Sequence, residues 1–212
     1  MKTIFTTESY IEQQKRLPEN GRHILAHHND ESIIVYQAYR LNIGNFAIKN
    51  GYFGGQFSFD RMTWIKTNFL WMMYRSKWGT KSGQEIVLAI RLKKSFFNTI
   101  LSYSVPAIYE ESEYKNKTEW KSALSRSPIR LQWDPDRDPL GNSIRRRAIQ
   151  LGLKGKLVKD YAKEAILEIQ DISSYVKSQR HRALAGEFRK VNIPKETIYL
   201  PENENILQKL GL

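Results

Sequence analysis

The chain has 212 residues, 41% hydrophobic and 26% charged, with no cysteine and a formal net charge of +12. That length suits one sizeable domain or two small ones, and the lack of cysteine excludes disulfides, thiolate metal sites and a cysteine nucleophile. Residues 1–20 have no apolar signal-peptide core and no stretch reaches the roughly 18 apolar residues of a membrane span, so a cytoplasmic protein without membrane contact is expected.

The charge is uneven: it sums to +7 over residues 61–94 and +9 over 115–190, against −3 over 95–114. Basic blocks of this kind attract polyanions and predict a phosphate-bearing partner, a nucleotide or a nucleic acid; solubility alone is the alternative.

In chain order, SIIVYQAYRL at 32–41 is a β-branched and aromatic run bounded by turn formers, which predicts a strand. Residues 42–55 carry four glycines and suit a short helix or turn followed by a loop. Thr67 or Asn68 can cap a helix through FLWMMYRSKW that stops at Gly79, with Phe69, Met72 and Met73 facing the core. QEIVLAIRLK at 84–93 predicts a strand buried on both faces, and SFFNTILSYS at 95–104 a helix ended by Pro106. The acidic residues of 110–113 and the polar run to Ser127 suit a loop or weak helix. A strand from 128 is expected to break at Pro135, because D-P-D-R-D-P-L-G holds two prolines and several turn formers. In residues 143–153 three consecutive Arg cannot share one face of any regular element, so some are expected to neutralise Asp and others to be free for phosphate, with a solvated helical turn as the alternative. Apolar residues from Val158 to Val176, three or four positions apart, predict a single amphipathic helix over 156–177. ETIYL before Pro201 suits a strand, with a short helix after it. Helices of unequal length between strands, with no G-x-G-x-x-G or Walker pattern, predict one α+β domain over 1–212, its mixed, largely antiparallel sheet flanked by helices.

His23, His27 and His28 have no acidic residue at ligand spacing beside them, and Asp134, Asp136 and Asp138 depart from a calcium loop at the twelfth position, which is Arg145. No metal is expected. The carboxylates of that segment are expected to pair with Arg137 and with Arg145, Arg146 or Arg147.

Three stretches carry candidate site residues. In Tyr36-Gln37-Ala38-Tyr39-Arg40, strand alternation puts Tyr36 and Arg40 on one face, where they can stack a ring and grip a pyrophosphate, and Gln37 with Tyr39 on the other. Around the FLWMMYRSKW helix, Arg61, Trp64, Lys66, Trp71 and Arg75 offer aromatic faces for a base and cations for phosphates. In the third stretch, Arg145, Arg146 and Arg147 are candidates for nucleic acid, and Gln150 points away from its apolar neighbours Ile149 and Leu151.

F-x-F-D-R-M-T-W-I-K-x-N-F-L-W-M-M-Y-R-S-x-W at 57–78, I-x-L-Q-W-D-P-D-x-D-P-x-G at 129–141 and R-R-A-I-Q-L-G-L at 146–153, with I-V-Y-Q-A-Y-R and the three histidines before them, resemble the uncharacterised microbial DUF4291 family over about residues 20–195. By order of elements the chain also resembles ADP-ribosyltransferase-like enzymes, although the late-strand Glu and middle Ser-Thr-Ser of their pattern are not present. That second resemblance implies a nucleotide-dependent transferase acting on or near nucleic acid with NAD as cofactor. Arg40, Tyr39 and Gln150 would be its catalytic residues, with Tyr74 an alternative to Tyr39 beside the nicotinamide. Tyr36, Arg61, Trp64, Lys66, Trp71, Tyr74 and Arg75 would form the cofactor surface. The alternative expectation is a non-catalytic nucleic-acid-binding protein. The oligomeric state is left open.

Overall fold

A computed structural model describes residues 3–109, 111 and 114–212. The chain runs β1 (Thr7–Ser9), α1 (Tyr10–Arg16), β2 (Leu25–Ala26), β3 (Ser32–Tyr39), α2 (Leu41–Asn50), β4 (Thr63–Lys66), α3 (Phe69–Ser76), β5 (Ile86–Lys93), α4 (Lys94–Tyr103), β6 (Ser104–Pro106) and α5 (Lys117–Arg126). It continues through β7 (Ile129–Arg137), β8 (Ser143–Leu153), α6 (Lys156–Asp160), one π-helical turn (Tyr161–Ala165), β9 (Ile166–Asp171), α7 (Ser173–Leu184), β10 (Asn192–Pro194), β11 (Thr197–Ile198) and α8 (Glu204–Leu210).

Seven strands form one sheet in the order β6-β7-β8-β4-β3-β5-β9, and two-stranded pairs β1-β10 and β2-β11 lie beside it. Within the large sheet β6-β7 is parallel and the other pairs are antiparallel. The protein is therefore a single α+β domain on a mixed, mostly antiparallel sheet.

Both faces of the sheet are covered, which explains why β3 and β5 are apolar without alternation. Ile33 and Val35 of β3 enter a core with Ala47 of α2, Phe97 and Ile100 of α4 and Val158 of α6. Ile34 and Tyr36 enter a second core beneath Phe69, Met72 and Met73 of α3 and Val176 of α7. Each such side chain, fully buried, contributes about 1.5–3 kcal/mol.

The expected strands at 32–41 and 84–93, and the helices following residues 41, 68 and 93, are present within a few residues. The polar run before Ser127 forms α5, whereas residues 110, 112 and 113 of the acidic stretch lie outside the described residues. Two expectations are corrected. Residues 156–177 are not one helix: the apolar spacing of Val158, Tyr161, Ala162 and Ala165 belongs to α6 and its π turn, after which Ile166–Asp171 becomes an edge strand. That strand covers the otherwise open side of β5, pairing Ile169 with Ile90 and Arg91 with Glu168. Ladder bonds along a buried strand outweigh a weak helical pattern. Nor does the strand from 129 end at Pro135: it continues to Arg137 through a bulge, with Pro135 opposite Arg147. Its outer neighbour β6 reaches only Leu131, so a proline with no N–H to give is tolerated on this open edge.

Candidate functional site

β4 pairs with β8 at four positions, Thr63↔Leu153 to Lys66↔Gln150, but with β3 at one, Tyr36↔Lys66. Past that position β3 and β4 part. Gln37 bridges the gap: its Nε2 donates to Thr63 Oγ1 at 3.0 Å and to the Trp64 carbonyl at 2.9 Å, while its Oε1 accepts from the Tyr161 hydroxyl at 2.6 Å. The Tyr39 hydroxyl stands 3.2 Å from Thr63 Oγ1. A buried amide with both ends paired can hold a sheet open where a ladder bond is missing.

The parting opens a cavity of about 660 Å³, within the 300–1,000 Å³ typical of small-molecule sites. Among the described residues four cations, Arg40, Arg61, Lys66 and Arg75, line it, and no Asp or Glu does. Trp64, Trp71 and Tyr39 supply aromatic wall and Gln150 a polar amide.

Lys66 sits at the inner end, 5% exposed, with its Nζ 4.7 Å from the centre of the Trp71 ring. Among the described residues its amine has no hydrogen bond or ion pair. Burial lowers its pKa from 10.5 to about 7; Arg75 pushes the same way and Asp134 opposes. Trp71 is 6% exposed, and among the described residues its Nε1–H meets no acceptor. Buried donors are nearly always paired, so this indole N–H, beside an amine without a hydrogen bond among the described residues, leaves room for a ligand's acceptors.

α3 is held firmly enough to fix this pair. Asn68 Oδ1 accepts from the Trp71 N–H at 2.7 Å, and the buried Glu196 carboxylate accepts from the Phe69 N–H at 2.7 Å and Asn68 Nδ2 at 3.3 Å. Trp71 and Arg75, four apart, share the helix face turned to the cavity. Opposite, Trp64 lies on Gly152, where an added Cβ would come within 2.9 Å of its ring and 2.7 Å of Met62 Sδ. Only glycine permits that approach. Gln150, across from Lys66, donates through Nε2 to Gln132 Oε1 at 2.5 Å and reaches Asp134 Oδ2 at 3.4 Å. Burial raises the Asp134 carboxyl, and Lys66 is the strongest of three cations that counter it.

The structure thus gathers Tyr39, Arg40, Arg61, Trp64, Lys66, Trp71, Arg75 and Gln150 around one cavity. It places other expected residues elsewhere. Tyr36 is fully buried against Phe69, its ring reaching no solvent. The face assigned to it by alternation is right, but α3 covers that face, whereas Arg40 lies past the strand's end. Tyr74 is outside the cavity, with the Arg137 guanidinium 3.8 Å from its ring centre. Arg146 is 3% exposed and bonded to Asp136 at 2.5 Å and to the Pro18 carbonyl at 3.2 Å, so it is not free for nucleic acid. Arg145 and Arg147, alternating with it, stay exposed.

Sequence reasoning passed over Gln37, Thr63 and Tyr161, although a glutamine inside an otherwise apolar strand is a signal that something polar must meet it. His27 and His28 bond the Lys195 carbonyl and the Thr197 hydroxyl, and burial lowers the pKa of both. No group of three His, Cys, Asp or Glu side chains that could hold a metal occurs among the described residues, and no helix is long and apolar enough to cross a membrane.

A family model described as "Domain of unknown function (DUF4291)" matches residues 23–199. No curated protein matches the chain, and the likeness to ADP-ribosyltransferases gains no support.

Proposed function

We propose that the chain, which belongs to the DUF4291 family, is a nucleotide-binding enzyme whose cavity holds phosphates on Lys66, Arg40, Arg61 and Arg75 and a ring against Trp64 or Trp71. The observation that carries this is the lining itself: among the described residues, four cations, no carboxylate and aromatic walls in one cavity of about 660 Å³. Guanidinium groups meet phosphate oxygens in pairs, and indole faces hold planar bases. Acid–base chemistry is available as well, since an amine of pKa about 7 is partly neutral at physiological pH. NAD is one candidate ligand, transfer of part of the nucleotide one candidate reaction, and the cytoplasm the expected setting.

A thermal-shift screen with NAD, ATP and pyrophosphate tests the proposal. The expected result is a rise in Tm at both low and high salt that Arg40→Ala removes. Unchanged melting with all three ligands would refute it.

A second reading rests on Arg145 and Arg147, which remain exposed on one face of β8. They suit a nucleic-acid backbone. In that case affinity falls steeply with salt, and each Arg→Ala variant lowers the slope by about one in log–log terms.

A further inference from the structure

We propose that Lys66 is the nucleophilic amine of the site and adds to the aldehyde of an open-chain ribose phosphate, the form a nucleotide's sugar takes once its base has been removed. The inference rests on the reading that the cavity takes a phosphate-bearing ligand. It goes further by naming the reacting groups.

Lys66 is set apart from the other cations of the cavity. Arg40, Arg61 and Arg75 are exposed, and guanidinium does not lose its proton in proteins, so they can hold anions without reacting. Lys66 is 5% exposed, ends β4 at the last position before the sheet parts, and faces the Trp71 indole. Among the described residues no carboxylate lines the cavity itself. Arg75 on α3 is a like charge facing it, and Asp134 on β7, itself reached by Gln150, is the opposing one. A lysine used only to grip phosphate has no need of such burial, because exposed cations do this without a desolvation cost. Desolvation next to a second cation is instead how an amine is kept neutral and nucleophilic.

The step balances without any co-reactant. The Nζ lone pair forms a C–N bond to the carbonyl carbon as the C=O π pair moves to oxygen, and one N–H proton passes to that oxygen to give a carbinolamine. The C–O bond then breaks, and the hydroxyl leaves as water with the second N–H proton, giving the imine. The arginines are placed to receive the phosphate, and the unpartnered Trp71 Nε1–H can donate to a sugar hydroxyl or the departing oxygen.

The test is reductive trapping of the whole protein with cyanoborohydride and ribose 5-phosphate, with adducts located by peptide mass spectrometry. The expected result is an adduct at Lys66 formed at least tenfold faster than at any other lysine, and at least tenfold faster than with ribose. Its rate should rise through about pH 7, as that amine loses its proton. An oligonucleotide with an abasic site, which carries the same aldehyde between phosphates, distinguishes the source: faster trapping of ribose 5-phosphate supports the free sugar phosphate, and faster trapping of the oligonucleotide overturns that choice. No enrichment at Lys66, or equal trapping of ribose, overturns the proposal. Pyrophosphate stabilisation measured on the same sample separates the failures. A protein that is stabilised but not trapped keeps its phosphate site and loses the imine; one that is neither loses both. Lys66→Met, which keeps an unbranched chain as far as Cε without the amine, should retain pyrophosphate stabilisation in part and show no adduct at that peptide.

Discussion

Replacing Lys66 by Met should make the protein more stable, and by an amount that depends on pH. The folded protein holds this amine at a pKa of about 7 against 10.5 when exposed, and each tenfold loss of proton affinity on folding corresponds to about 1.36 kcal/mol. Because the folded value is depressed, the unfolded chain binds more protons between those two pH values, so stability rises with pH across that window. Above about pH 10.5 the amine is neutral in both states and the penalty vanishes; below about pH 7 it is protonated in both and the penalty is complete, on the order of 4–5 kcal/mol. Met removes it. Urea denaturation of both proteins at several pH values isolates the effect, since all other titrating groups are shared. The expected advantage of Lys66→Met is about 4 kcal/mol near pH 7, about 2 kcal/mol near pH 9 and close to zero near pH 11. A gap that does not change with pH, or a variant less stable at neutral pH, would refute the reasoning. Such a gain on removing a residue is what a site held ready for a ligand predicts.

Three further outcomes follow from packing and hydrogen bonding, the last two beside the cavity. Asp136→Ala leaves the Arg146 guanidinium buried beside the Pro18 carbonyl without its carboxylate and should cost about 3–5 kcal/mol by urea denaturation. Tyr161→Phe removes the donor to Gln37 Oε1; a loss of about 1–3 kcal/mol is expected, together with a weaker ligand-induced Tm rise as Gln37 loosens its hold on Thr63 and Trp64. Gly152→Ala forces the Trp64 ring off the strand; it should destabilise by about 1–3 kcal/mol and reduce nucleotide stabilisation more than pyrophosphate stabilisation, which a thermal-shift comparison of the two ligands would show.

What could be read in the sequence was local. The spacing of Phe69, Met72 and Met73 identified the buried side of α3, and a lysine in the apolar TWIKTNFLW run marked Lys66 as a cation hard to bury without purpose. Alternation assigned the faces of β3 correctly, yet it does not say what covers each face, so Tyr36 looked available although α3 lies on it. The same limit applied to the three arginines of β8. Alternation separates Arg146 from Arg145 and Arg147, but that Asp136 reaches it depends on the bulge in β7. Residues 166–171 misled because Ala165, Ile169, Ile172 and Val176 fit a helical period, while the true partner of this strand, β5, is more than 70 residues earlier. The parting of β3 from β4 lies in which strands pair and for how long, a non-local property that no motif carries. Its trace in the sequence is Gln37 alone.

Tryptophan fluorescence titration with ADP-ribose, with the corresponding nucleoside adenosine as control, tests the central claim most directly, because Trp64 and Trp71 both line the cavity. Binding should be saturable for the phosphate-bearing ligand, displaced by pyrophosphate, at least tenfold weaker for the nucleoside, and lost in the Arg40→Ala, Arg75→Ala double variant. An unchanged signal with ADP-ribose, or equal affinity in that double variant, would contradict a phosphate-receiving cavity.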